Sequence, residues 1–364
     1  MVNKDRKPEW APADAGKEFA SRVKGAASSN ARVAKAPHRP VTTRFPDLDA
    51  LTDGVRQGNR TLLAKAITLI ESNSPKHFDL GQELIRRLLP GSTDSIRIGV
   101  TGVPGAGKST FIESFGLWLL EQGHKVAVLA IDPSSSLSKG SILGDKTRME
   151  ELSRHPNSFI RPSPSGGALG GVARKTRESI LICEAAGYDV ILIETVGVGQ
   201  SEVTVRSMVD FFLLMQIAGA GDELQGIKKG IMELADLVVV NKADGDNIQA
   251  AELACRELNN ALHYLRNATR GWTTKAMTCS AIQKTGLSEI WSAVSKFTEQ
   301  GKLNGVFDER RQSQVINWFE TLLTEAVLNR FHNDPDVKAL LPQIRSEVES
   351  GSLPVVMAVQ KLLR

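Results

Sequence analysis

Between Ser95 and about Gln300, short apolar runs alternate with longer stretches in which apolar residues recur every three or four positions. The runs read as strands at 97–101, 125–131, 190–194, 211–217, 237–240 and 276–279. Strands alternating with helices predict an α/β fold, a mostly parallel sheet with helices on both faces. Two helices are expected over 47–89, one facing inward through Leu62, Ala66, Leu69 and Ile70, the other through Leu80, Leu84, Ile85 and Leu88. Pro90-Gly91 stops the second. Both are too short to enclose a core and are expected to pack on the sheet domain. Past Lys302 the pattern is helical again, with a wide stripe of Val315, Trp318, Phe319, Leu322, Leu323, Ala326 and Val327 and a further helix through Val337, Leu340, Leu341, Ile344 and Val348. Such an apolar arm covers either the preceding domain or a second subunit, and we read it as a dimerisation arm. The expected organisation is a basic extension over 1–45, a helical segment over 46–92, a sheet domain over 93–300 and the arm over 301–364.

The first strand runs into Gly102-Val103-Pro104-Gly105-Ala106-Gly107-Lys108-Ser109-Thr110, and a helical pattern through Phe111, Phe115, Leu119 and Leu120 comes next. This is G-x-x-x-x-G-K-S in its meaningful context of strand, glycine loop and helix start. Glycines let the backbone curl round an anion so that successive N–H groups converge on it, and the helix adds its positive end. Lys108 can reach β- and γ-phosphates, and Ser109 can offer its hydroxyl to Mg²⁺. A nucleoside triphosphate is the implied ligand.

Ligands of open parallel sheets sit at the carboxyl ends of strands, so the polar residues just after the runs are the next candidates. Asn241-Lys242-Ala243-Asp244 follows the strand at 237–240. A carboxylate at Asp244 can accept from guanine N1–H and its exocyclic amine, whereas adenine presents a lone pair at N1, so the site selects GTP. Lys242 can lie along the base and Asn241 can pin the loop. Cys279-Ser280-Ala281 ends a later strand, where a backbone N–H of Ser280 or Ala281 is placed to reach guanine O6. Asp132 and Glu194 each close a strand and are placed for Mg²⁺, with Asp145 a third acid; a helix N-cap is the alternative role for Asp132. In Glu194-Thr195-Val196-Gly197, Gly197 is placed to donate its N–H to a γ-phosphate. No residue stands out to orient a water, Gln200 lying three positions past Gly197. The run 219–230, with four glycines and four charged residues, reads as a mobile loop.

Composition adds limits. The net charge of +4 on 364 residues does not argue for nucleic acid as a partner. The ten Lys/Arg and four Asp/Glu of residues 1–45 read as a solvated tail, and those acids count against a transit peptide. Cys183, Cys255 and Cys279 lack metal-ligand spacing and suit reduced thiols. No apolar run approaches the ~20 residues of a membrane span. A cytoplasmic location is expected, the bacterial cytosol rather than the mitochondrial matrix, with no membrane partner.

Together these residues resemble the MeaB/ArgK-type P-loop GTPases, chaperones of adenosylcobalamin-dependent methylmalonyl-CoA mutase. The resemblance rests on 102–110, Asp132-Pro133-Ser134-Ser135, 141–149, 194–202, 221–230 and 241–244, and it covers about 46–364. It implies a homodimer in which binding and hydrolysis of GTP to GDP gate cofactor loading and protect the mutase. It also places Asp132, Asp145 and Glu194 at Mg²⁺ and switch positions, and 219–230 on a further switch loop, with Lys228 near phosphate and, with Lys108 and Glu194, in the catalytic set. Ser138-Lys139-Gly140 departs from the family's more usual glycine pair. Two alternatives stay open: a chaperone of a related acyl-CoA mutase, or a kinase of the transport-system type by which relatives were long labelled. The H-R-D and D-F-G sets of protein kinases are absent from the sequence.

Overall fold

A computed structural model describes residues 47–89, 94–132, 149–164, 169–195, 200–219 and 229–363. Residues 45–364 form one compact unit; the extension expected over 1–45 lies outside the described residues. Among the described residues the sheet has seven strands, all parallel: β1 (Ile96–Gly102), β2 (Val126–Asp132), β3 (Ser158–Pro164), β4 (Val190–Thr195), β5 (Phe211–Ile217), β6 (Leu237–Asn241) and β7 (Lys275–Thr278). Their spatial order is β3-β2-β4-β1-β5-β6-β7. The order reverses about β1, which is where ligands collect in such sheets. Six strands match the apolar runs to within a residue or two; β3 has no counterpart among them. Its Pro162 and Pro164 cannot donate to a ladder, and it survives because it is an edge strand, paired only with β2.

Side chains alternate across this sheet into two buried layers. Ile98 and Val100 of β1, Leu192 of β4, Leu213 and Met215 of β5 and Val239 of β6 meet the helix α4 (Lys108–Glu121) through Phe111, Phe115 and Leu119. The opposite face of β2, β4 and β5 packs on Ile180, Ile182 and Cys183 of α6 (Leu169–Ala185) and on Val205 of α7 (Gln200–Arg206). Outside α6 lie α1 (Leu48–Arg56), α2 (Arg60–Glu71) and α3 (Pro75–Leu88), burying Leu51, Leu63, Ile67 and Leu84 in the same layer. These helices do pack on the sheet domain, but there are three where two were expected, and Leu80 is exposed rather than inward. The missed α1 contains Gly54, which reads as a breaker. Here it admits its neighbour: a Cβ would lie 2.0 Å from Leu62 Cδ1.

The remaining helices of the domain are the short α5 (Glu150–Arg154) and α8 (Lys229–Met232), then α9 (Ile248–Leu262) against β6 and β7 and α10 (Leu287–Leu303) on the α4 face. The arm comprises α11 (Val306–Asn333), α12 (Pro335–Glu349) and α13 (Val355–Leu362), the last unanticipated. The first turns of α11 are bolted to the amino ends of the strands. Asp210 accepts from Arg311 Nε at 2.8 Å and Nη2 at 2.7 Å and from the Arg97 amide at 2.9 Å. Asp236, wholly buried, accepts from Arg206 Nη1 at 2.9 Å and the Phe212 amide at 3.0 Å, bonds Thr269, and faces Arg310 at 3.6 Å. Farther along, Val315, Ile316, Phe319, Leu323 and Val327 are exposed. No helix among the described residues is long and apolar enough to cross a membrane.

Buried carboxylates shared by arginines are costly to break from one side, because the cations are left unpaired. Asp236→Ala is therefore expected to lower stability by about 3–5 kcal/mol, read as a drop in the urea midpoint at constant slope.

Candidate nucleotide-binding site

At its carboxyl end β1 must turn sharply beside β5, and the sequence supplies glycines where no other residue fits. Gly102 has φ 151°, and a Cβ there would lie 2.2 Å from Met215 O. Gly107, with φ 82°, starts α4 without a side-chain cap, so the first amides of that helix have no side-chain acceptor. Lys108 is only 9% exposed; its Nζ donates to Gly102 O at 2.9 Å and Val103 O at 3.2 Å. The lysine thus bends back over its own loop rather than outward. Burial lowers the proton affinity of its ammonium, and the carboxylates of Glu194 and Glu202 act against that shift.

Ser109 Oγ donates to Glu194 Oε1 at 2.8 Å, so the expected hydroxyl and carboxylate metal donors stand side by side. Beneath them Thr195 Oγ1 donates to Thr101 Oγ1 at 2.8 Å, a buried link between β4 and β1. Asp132 ends β2, two strands from β1, but its side chain lies outside the described residues, as do Asp145, Gly197, Lys228 and most of the 219–230 loop.

The base-reading segment is fastened to the phosphate loop by Asn241. Its Nδ2 donates to Ala106 O at 2.8 Å, and its Oδ1 accepts from the Ala281 amide at 3.2 Å. Ser114 Oγ on α4 completes the link by donating to Ala281 O at 2.6 Å. The chain then turns through Lys242 at φ 59°, a left-handed position held by Asn247 Nδ2 donating to Lys242 O at 2.7 Å. That turn leaves Lys242 exposed and brings Asp244, half-buried, against Ser280, whose hydroxyl donates to Asp244 Oδ2.

The amides of Cys279, Ser280 and Ala281 are taken by Val240 O, Thr285 O and Asn241 Oδ1. The Ser280 hydroxyl of this stretch orients the Asp244 carboxylate. Glu202, 2% exposed on α7, is the charged group near Lys108 that sequence reasoning left without a role. Its only signal was its place at the end of the 194–202 run.

A glycine loop between strand and helix, a buried lysine on it and a carboxylate-bearing loop two strands away define a P-loop nucleotide-binding protein. Residues 63–336 match the family model described as methylmalonyl Co-A mutase-associated GTPase MeaB, and the chain belongs to that family of GTPases. It is 51% identical over 316 residues to a probable GTPase of Mycobacterium tuberculosis, covering 87% of this chain and 94% of that one. To GTPase ArgK of Escherichia coli it is 49% identical over 299 residues, 82% of this chain and 90% of that one. The crystal structure of an LAO/AO transport system kinase superposes with a TM-score of 0.71 at 41% identity, over 86% of this chain and 96% of the other.

Asp244→Asn is expected to reverse the base preference. The new amide can donate to the C2 oxygen of xanthine but meets the guanine amine donor to donor. Calorimetry should show GTP binding weakened by about 10²-fold or more, with XTP gaining.

Proposed function

We propose that the chain is a Mg²⁺-dependent GTPase whose nucleotide cycle gates cofactor loading and protection of adenosylcobalamin-dependent methylmalonyl-CoA mutase. The observation that carries the GTP part is the Asn241 bridge, which sets a carboxylate loop at fixed distance from a phosphate loop. In this reading the backbone over Gly102–Thr110 and the Lys108 ammonium neutralise the phosphates, and Asp244, aimed by Ser280, reads guanine. The donor set suits Mg²⁺: Ser109 and Glu194 offer hard oxygen atoms already 2.8 Å apart. Among the described residues no cluster of three or more His, Cys, Asp or Glu forms a cage. A Mg²⁺ ion held by a hydroxyl and a carboxylate takes waters and phosphate oxygens at its remaining positions. When bound, it supplies positive charge at the β- and γ-phosphates. The mutase part rests on the family, whose description names a mutase-associated GTPase.

The arm supports a homodimer. Val315, Phe319, Leu323 and Val327 recur every four residues on α11, and Val355, Val356, Met357 and Val359 are exposed on α13. Exposed apolar residues in a row on one helix and clustered on another are what a second subunit covers. The reading also places the protein in the cytoplasm, where such a client would be met.

GTP turnover by the full chain is expected to rise at least about tenfold on adding saturating methylmalonyl-CoA mutase, within the range one supplied stabilising group can give. An unchanged rate would refute the coupling and leave only the GTPase. Phe319→Asp is expected to halve the mass seen by light scattering while GDP binding persists, since a charge cannot be buried unpaired in an apolar interface.

A further inference from the structure

Strands β1 and β4 each keep a backbone partner on their outer side to the end: Leu214 of β5 pairs with Thr101, and Ile131 of β2 pairs with Thr195. The ladder between β1 and β4 themselves stops at Val100 and Glu194. Beyond it β1 leads into the phosphate loop and β4 into residues 196–199. One position past that last pair, Thr195 Oγ1 donates to Thr101 Oγ1 at 2.8 Å, and both threonines are wholly buried. Thr101 shares the α7 face with Gly99, two residues earlier, where an added Cβ would lie 2.9 Å from Val205 Cγ1. Glu194 points to the opposite face, where α4 presents Ser109. The hydroxyl pair thus stands directly behind the carboxylate and carries the seam one residue beyond its backbone bonds.

We propose that Thr195 is a positioning residue for the metal: its bond to Thr101 sets the spacing of β4 from β1 where their ladder ends, and so holds the Glu194 carboxylate against Ser109. The proposal rests on the reading that Ser109 and Glu194 hold Mg²⁺. Here two hydroxyl oxygens approach to 2.8 Å, whereas two carbons pack at about 3.5–4.0 Å, so apolar groups of the same shape would part the strands by about 1 Å. That displacement falls on the residue next to Glu194, just past the last backbone pair. Mg²⁺ demands near-ideal octahedral geometry, so the groups that orient its ligands govern how tightly it binds.

The test is Mg²⁺ binding itself, titrated calorimetrically into the full-length protein loaded with the imido analogue of GTP. Thr195→Val is expected to weaken Mg²⁺ binding about tenfold, and Thr195→Ser, which keeps the hydroxyl, to retain the original affinity. Affinity for the nucleotide in EDTA should be unchanged in both. Thr195→Val also leaves the buried Thr101 hydroxyl without that donor, a cost to stability that the double change Thr101→Val/Thr195→Val removes. The double variant is therefore expected to melt near the original temperature and still bind Mg²⁺ about tenfold more weakly. A purely structural role predicts that melting and Mg²⁺ affinity recover together, and that result overturns the proposal. So does a folded Thr195→Val with the original Mg²⁺ affinity, or one whose nucleotide affinity in EDTA falls as far as its Mg²⁺ affinity. Should Thr195→Val not fold, the double variant decides. Glu194→Gln separates the two levels: if Mg²⁺ affinity survives it, the metal reading fails and the proposal falls with it; if Mg²⁺ affinity is lost there but kept in the threonine variants, the proposal alone fails.

Discussion

The carboxamide of Asn241 holds the two halves of the nucleotide site in register. β1 and β6 are not neighbours; β5 lies between them, so the phosphate loop and the base loop emerge about 10 Å apart. Asn241 spans that gap by donating to Ala106 O and accepting from the Ala281 amide, and it is 2% exposed. In a buried setting neither bond can be exchanged for water, so the amide admits one arrangement of three segments. Ser114 fastens the third segment to α4, the helix whose amino end opens the phosphate loop. A rigid spacing between phosphate grip and base reader is what lets one site measure the length of a whole nucleotide.

Around that joint the charges are arranged for traffic rather than for a resting optimum. Lys108 lies folded over its own carbonyls, and two carboxylates, Glu194 and Glu202, oppose the effect of burial on its charge. The Ser109 hydroxyl is similarly occupied by Glu194. Each group expected to meet a triphosphate or its metal thus has an internal partner to leave. The thiols take no part in this chemistry: burial pushes Cys183 and Cys255 up, and Cys279 up to about 12, so all three are poor nucleophiles.

Much of the fold could be read from local pattern, because strands buried on both faces leave apolar runs and amphipathic helices leave stripes. The failures have particular causes. β3 was hidden by two prolines that only an edge position tolerates. α1 was hidden by Gly54, which is there to let Leu62 approach and not to end a helix. The phosphate loop and Asp244 were legible since their chemistry is written in contiguous residues. That Asn241 pins a loop was legible too, but its partner Ala106 and the Ser280–Asp244 bond were not, since they join positions 135 and 36 residues apart through packing alone.

The arginine–carboxylate cluster beneath the sheet bears on how this chain could be divided. A boundary near residue 300 looks natural from sequence, yet Arg310 and Arg311 beyond it serve Asp236 and Asp210 within the sheet. A fragment ending there would keep two interior acids and forfeit part of their counter-charge. The nucleotide-handling portion is consequently no free-standing cassette: the helix that carries the arm is also a structural part of the sheet's foundation, and neither could be exchanged between relatives without the other.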